Sequence, residues 1–190
     1  MKFTNAIIYI IILLFLPNFL VAQNNSVSHK VNIEIPEVAL LGLVSNSKTI
    51  LNINSNSPVE AGNTIRFTDI EHNNDIWLNY SSIIKNASHS RRVVALIQGE
   101  IPQGLHLMVE ASEAQGAGKG KLGHSTGMIM LSNQPTEIIS DIGSCFTGTG
   151  VYNGHSLTYT LKMDNENNTY GNINEGQTAL QVVFTLTDYN

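Results

Sequence analysis

The C-terminal stretch of this chain, residues 155–190, alternates apolar and polar side chains over two separate runs. Leu157, Tyr159, Leu161 and Met163 share one parity in the first run, and Leu180, Val182, Phe184 and Leu186 share one parity in the second. Successive side chains of a β-strand point to opposite faces, so a period of two predicts two half-buried strands. Such strands need an opposing layer, so the chain is expected to pack one sheet against another.

The rest of the chain repeats this pattern in short runs that turn-forming residues separate. We predict strands at residues 31–35, 50–54, 64–69, 76–80, 92–98, 105–111, 128–131 and 137–142. The runs 92–98 and 105–111 flank a short loop with Pro102 and Gly104, which predicts a hairpin. No window shows apolar spacing of three and four with caps, so little or no helix is expected after the N-terminal signal. The sequence therefore predicts one all-β domain over residues 31–190, an antiparallel Ig-like β-sandwich.

The N-terminus has the three-part layout of a secretory signal. Lys2 precedes an unbroken apolar run over residues 6–16, and Ala22 precedes the polar Gln23. A signal core spans about 7–15 residues, whereas a membrane span needs about 20. We therefore expect residues 1–22 to be a cleaved signal peptide and residues 23–30 a flexible linker. Leu20 is bulky at a position where a small residue is preferred near the cleavage site, so an uncleaved membrane anchor is the alternative.

An exported protein of this kind would reside in the periplasm, at the cell surface or outside the cell, with no stable membrane span after signal cleavage. Its net charge is −5 with ten Lys and Arg residues, which argues against nucleic acid as a partner. The single cysteine, Cys145, cannot form an internal disulfide. A buried apolar thiol is the main expectation for Cys145, and an intermolecular bridge or a reactive thiol is the alternative.

Two segments superficially match binding motifs. The Gly-rich run 116–123 suggests a phosphate loop, but Leu122 follows Lys121 where that motif needs Ser or Thr, so we expect a mobile connection. Asp164, Glu166, Asn168, Asn172 and Glu175 have spacings like those of a calcium loop. Thr169 occupies the position of the required glycine, so a solvated hairpin loop is preferred and calcium stays open. Residues 69–75 form a similar acidic stretch that is expected to be a turn, and no metal or cofactor is predicted.

The remaining candidate residues are aromatic. Tyr152 and Tyr170 lie in turns rich in Gly and Asn, where we expect exposed rings that could bind a ligand. Trp77 is expected to be in the core or half-buried, because aromatic residues on strands usually pack. No nucleophile elbow, zinc helix or paired-carboxylate pattern appears, so no enzymatic activity is expected. A hydrolase whose carboxylates meet only in the folded chain is the third possibility.

Several segments resemble small exported bacterial β-sandwich proteins. They are the signal and the stretches Ile101-Pro102-Gln103-Gly104-Leu105, Gly154-His155-Ser156-Leu157-Thr158-Tyr159 and Val182-Val183-Phe184-Thr185-Leu186-Thr187. In these stretches the chain is similar to pilin subunits, to spore-coat-U-like sandwiches and to uncharacterised Ig-like surface proteins. It departs from pilin subunits in lacking their usual cysteine pair. The resemblance implies a fold and no site residues.

The compartment, the strand pattern and the missing catalytic motifs lead to one functional prediction. We expect a non-enzymatic structural or adhesive surface protein, fimbrial-like, that joins other protein subunits by strand addition. The alternative is a carbohydrate- or ligand-binding module that uses exposed Tyr and Asn side chains on its loops.

Overall fold

A computed structural model of the chain describes residues 27–45, 55–56, 60–62, 66–67, 70–163, 176 and 178–189. Contacts divide the chain into two units, Met1–Glu34 and Ile35–Asn190. In the described part, every regular element is a β-strand and lies in the second unit. The strands are β1 (Val38–Ser45), β2 (Ser55–Asn56), β3 (Arg66–Phe67), β4 (Ile70–Ile83), β5 (Arg91–Gln98), β6 (Leu105–Ala111), β7 (Lys119–Gly120), β8 (His124–Ser125), β9 (Ile129–Met130), β10 (Thr136–Ile142), β11 (Cys145–Phe146), β12 (His155–Met163) and β13 (Gln181–Asp188).

The strands form two main sheets. Sheet A has the order β7-β11-β4-β12-β6-β9, with β1 also paired to β4, and sheet B has the order β13-β5-β10-β8. A separate two-stranded ladder joins β2 to β3, and all of these pairs are antiparallel. The prediction of an all-β antiparallel sandwich is confirmed. The described residues contain no helix with the length and apolar character that crossing a membrane requires.

The core lies between the inward faces of the two sheets. Val93 and Ala95 of β5 are fully buried, and so are Val109 of β6 and Leu157 of β12. Val182, Phe184 and Leu186 of β13 pack against this cluster from sheet B. The predicted parity of the two closing strands is therefore confirmed, because in each strand one alternating set faces the core.

The hairpin predicted around Pro102 is wrong. β5 belongs to sheet B and β6 to sheet A, so the loop between them crosses from one sheet to the other. The two closing strands, β12 and β13, are likewise in different sheets rather than a hairpin. Alternation predicts only that each strand has one buried face. Two such strands can pair within one sheet, or they can lie in opposite sheets with their buried faces toward each other across the core.

The turn predicted for the acidic stretch is also wrong over residues 70–75. β4 is continuous from Ile70 to Ile83, and its first half pairs with β12, where Asn73 lies opposite Thr158. The ladder satisfies backbone hydrogen bonds whatever the side chains are, so a polar stretch can extend a strand. Residues 50–54, most of 64–69 and the calcium-like stretch 164–175 lie outside the described residues.

The first predicted strand, residues 31–35, is not formed. Residues 27–37 have no regular secondary structure, and the first strand begins at Val38. The sequence supplies the alternation of a strand there, but a strand also needs a neighbouring edge for its hydrogen bonds. Pro36 lacks a backbone N–H and lies just before β1, where it separates the segment from the strand.

Candidate functional site

One side of the sandwich is bordered by β1 of sheet A and β13 of sheet B. In the described chain, β1 pairs only with β4, and β13 pairs only with β5. Each strand therefore has one edge whose backbone groups are not used in these ladders. Proteins usually shield such edges, because free N–H and C=O groups can pair with another strand.

The inward face of β1 is incompletely covered. The register places Leu43 opposite Leu78 and Leu41 opposite Tyr80, so both leucines lie on the core side of sheet A. Leu78 is fully buried and Tyr80 is 3% exposed, yet Leu43 is 52% exposed. A large apolar side chain on the core side that meets solvent indicates that sheet B leaves β1 uncovered at Leu43, although Leu41 of the same strand packs against the core.

The inward face of β13 is also incompletely covered. Val182, Phe184 and Leu186 lie opposite Ile97, Ala95 and Val93 of β5. The β5 residues are buried, whereas all three β13 residues are only half-buried. We call the side bordered by Leu41, Leu43, Val182, Phe184 and Leu186 the open edge.

Arg91 closes one end of the open edge. Its side chain is 4% exposed, and its Nε donates to Asp188 Oδ1 at 2.7 Å. Nη2 donates to Glu37 Oε1, and Nη1 donates to the carbonyl oxygen of Val38 and to Ser82 Oγ. A buried guanidinium is stable only when its donors are paired, so this arrangement fixes the start of β1 and the end of β13 together.

The sequence itself indicates that Arg91 occupies an unusual position. Arg91 shares the parity of Val93, Ala95 and Ile97, which marks a basic residue at a core position. The two carboxylates that meet it, on Glu37 and Asp188, are 51% and 62% exposed. Their positions far apart in sequence gave no indication that they would meet.

The segment before β1 exposes a second apolar surface. Val31 is 65% exposed, Ile33 84% and Ile35 72%, with the polar Asn32 and Glu34 between them. Three large apolar side chains at alternating positions are typical of a strand that buries one face. In this segment those three side chains are exposed instead.

Tyr152, predicted to be exposed, is 73% exposed. Its backbone has the unusual φ of 65°, and its ring meets Trp77 edge-on with 5.6 Å between ring centroids. Asn79 holds the turn, because its Oδ1 accepts from Gly150 N and its Nδ2 donates to the carbonyl of Asn153. Trp77 is 5% exposed, so it is buried as predicted, but it contacts Tyr152 and is not part of the core cluster that Leu78 and Tyr80 join. The other predicted ligand residue, Tyr170, lies outside the described residues.

A buried pair that the sequence did not predict lies beneath this turn. His155 is fully buried, and its Nε2 lies 2.8 Å from Tyr80 Oη. Nδ1 lies 2.7 Å from the carbonyl oxygen of Ser112, which only accepts, so Nδ1 carries the hydrogen. Burial lowers the pKa of His155, although the Ser112 carbonyl and the charge of Glu113 oppose that effect. Burial also raises the pKa of Tyr80.

Cys145 is a free, half-buried thiol on β11, and burial raises its pKa to about 11. Across the described positions, no cluster of three or more His, Cys, Asp or Glu side chains is placed to hold a metal ion. The Gly-rich run 116–123 contributes the short strand β7, which pairs with β11.

The features that the described residues bring together are the open edge, the exposed apolar segment before β1 and the exposed Tyr152. Comparison of the chain with protein-family models, with curated proteins and with solved structures finds no match.

Proposed function

We propose that this protein is an exported structural or adhesive surface subunit that joins other copies of itself by β-strand addition. The segment Val31 to Ile35 of one copy adds to the open edge of another. The observation that carries this proposal is Leu43, a core-side leucine of β1 that is 52% exposed. An added strand would complete the sandwich at the place where its own strands leave it open.

The energetic argument rests on apolar burial. Fully burying a side chain such as Val or Ile stabilises an association by about 1.5–3 kcal/mol. Val31, Ile33 and Ile35 are more than half exposed, as is Leu43 of the receiving edge. Burial of both surfaces, together with the backbone hydrogen bonds of a new ladder, offsets the entropy lost when the segment is ordered.

The two surfaces differ, so the contact is head-to-tail. A heterologous contact that does not close into a ring produces an open polymer. This outcome suits a structural or adhesive component outside the cell, where each added subunit leaves one free segment and one free edge.

A matched pair of substitutions on β1 tests the proposal. Leu43 faces the core side, whereas Leu40 lies opposite Ser81 on the outer face and is 65% exposed. Leu43→Lys should abolish concentration-dependent assembly in light scattering, because a charge would enter the new interface. Leu40→Lys introduces the same charge on the same strand and should assemble like the unmodified chain.

Two results would contradict the proposal. One is that the unmodified chain stays monomeric at every concentration, and the other is that both lysine variants assemble equally well.

A second pair of substitutions tests the donor segment: Ile33→Asp should prevent assembly, and Asn32→Asp should not. Because these side chains are exposed, all four variants are expected to fold, which circular dichroism and thermal unfolding can verify.

Carbohydrate binding is the second candidate function, and Tyr152 favours it. The ring is exposed, its backbone is held in an uncommon conformation, and it contacts the chain's single tryptophan. Uncommon backbone conformations in non-glycine residues often mark functional positions. A sugar stacked on Tyr152 should change Trp77 fluorescence, and Tyr152→Ala should remove that response. Tyr189→Ala, at another exposed tyrosine, is the control. Silence on a glycan array would count against this candidate.

A further inference from the structure

We infer that the added strand runs antiparallel to β13, with Val31 opposite Leu186, Ile33 opposite Phe184 and Ile35 opposite Val182. This inference rests on the proposed assembly, and it specifies the polarity and register of the contact between two copies. It also assigns a role in recognition to the charged residues at the closed end of the open edge.

The apolar spacing supports this register. Residues directly opposite each other in an antiparallel pair share a face, so the inward side chains of β13 must meet the apolar set of the segment. Both sets have three members at every second position. A shift of two residues one way places Val31 opposite the charged Asp188. A shift the other way places His29 opposite Leu186 and moves Ile35 opposite Leu180, which lies before Gln181, the first residue of β13.

Pro36 supports the same register. It falls opposite Gln181, where β13 begins. Proline cannot donate a ladder hydrogen bond, so it is tolerated at a strand end and not in the middle of a paired strand. The register therefore ends the new ladder at the residue that would otherwise interrupt it.

The charges at the closed end select the polarity. Arg91 meets two carboxylates there, Glu37 and Asp188, both more than half exposed, so the cluster carries one net negative charge. The antiparallel arrangement brings His29 opposite Asp188 and Lys30 opposite Thr187. A parallel strand would instead turn Glu34 toward this acidic end, and like charges placed together are unfavourable.

The neighbouring pairs agree with this choice. Every strand pair in the described residues is antiparallel, so an antiparallel addition continues the pattern of sheet B. The same strand would lie parallel to β1, whose first residue, Val38, contacts Arg91. The added strand would then hydrogen-bond to β13 and cover Leu43 with its inward side chains.

Cysteine cross-linking between copies distinguishes the two polarities. Thr185 is exposed on the outer face of β13. In a Cys145→Ser background, chains carrying Thr185→Cys are mixed with chains carrying either Asn32→Cys or Glu34→Cys under mild oxidation. The antiparallel register places residue 32 opposite residue 185, so the Asn32→Cys mixture should form the intermolecular disulfide at least about tenfold faster, because a disulfide needs close Cβ atoms.

The possible results separate this inference from the proposed function. Faster cross-linking of Glu34→Cys would show a parallel strand and overturn the inference, while assembly itself would stand. Assembly without cross-linking in either mixture would overturn the register and place the contact elsewhere. If the unmodified chain does not assemble at all, the proposed function and the inference are both overturned.

A charge series provides a second readout. Lys30→Glu should weaken assembly more than Lys30→Gln, because it brings a negative charge to the acidic end. The difference between the two variants should shrink as salt is added, since exposed charges are screened. Equal assembly of Lys30→Glu and the unmodified chain at low salt would contradict the assigned polarity.

Discussion

Arg91 Nε donates to Oδ1 of Asp188 at 2.7 Å, and this bond joins the first residue of β5 to the last residue of β13. The same guanidinium reaches β1 and β4 in the opposite sheet, through the carbonyl oxygen of Val38 and through Ser82 Oγ. One buried side chain therefore connects both sheets at one end of the open edge.

Arg91→Leu should destabilise the fold by about 2–4 kcal/mol, because it leaves buried acceptors such as Ser82 Oγ without a donor. Asp188→Asn changes a carboxylate that is 62% exposed and should cost less than about 1 kcal/mol. Urea unfolding of the two variants measures both values. A loss below about 1 kcal/mol for Arg91→Leu would show that the guanidinium is dispensable to the fold.

The sequence predicted the class of fold because alternation reports burial directly. Leu157 and Phe184 face the core as their parity requires, and Trp77 is buried. Sheet membership was not predictable, because the inward faces of β5 and β6 look the same whether the strands pair side by side or face each other. The open edge was not predictable for a related reason: the exposure of Leu43 depends on how far sheet B extends, which no local pattern records.

His155 should make stability depend on pH. Burial lowers its pKa below the ordinary value of 6.5, so the unfolded chain binds a proton at a higher pH than the folded chain does. Stability is therefore fully present above about pH 6.5 and is lost as the pH falls below it, toward the lowered pKa of the folded state. Urea unfolding at a series of pH values from about 7.5 to 5 should show this loss.

The control for this prediction is His89, an exposed histidine whose ring contacts Asn86. His155→Gln should flatten the pH dependence of the unfolding free energy over this interval, whatever its effect on absolute stability. His89→Gln removes an exposed histidine and shows how much of any change in slope follows from the loss of a histidine as such. An unchanged slope in His155→Gln would assign the pH dependence to other groups.

Two glycines in the turn that carries Tyr152 should respond differently to substitution by alanine. Gly154 has a φ of 79°, and an added Cβ would overlap the carbonyl oxygen of Leu78 in β4. Gly150 has a similar φ of 84°, but an added Cβ would meet no atom within 4 Å. Gly150→Ala should therefore show backbone strain alone, about 1 kcal/mol, whereas Gly154→Ala should cost at least about 3 kcal/mol because β4 and the turn must separate. Thermal unfolding measures the difference, and equal losses would show that strand and turn adjust freely.

Cys145 should be a slow nucleophile in the folded chain. Burial raises its pKa to about 11, so the reactive thiolate is scarce at pH 8. A more basic thiolate is intrinsically more nucleophilic, which recovers part of the loss, so alkylation by iodoacetamide should be at least about tenfold slower than for an unstructured thiol. The same chain in urea is the control, and its thiol should react at the unstructured rate. A folded-state rate equal to the rate in urea would show that Cys145 is freely accessible and ionises normally, and would reopen the alternative of a bridge between chains.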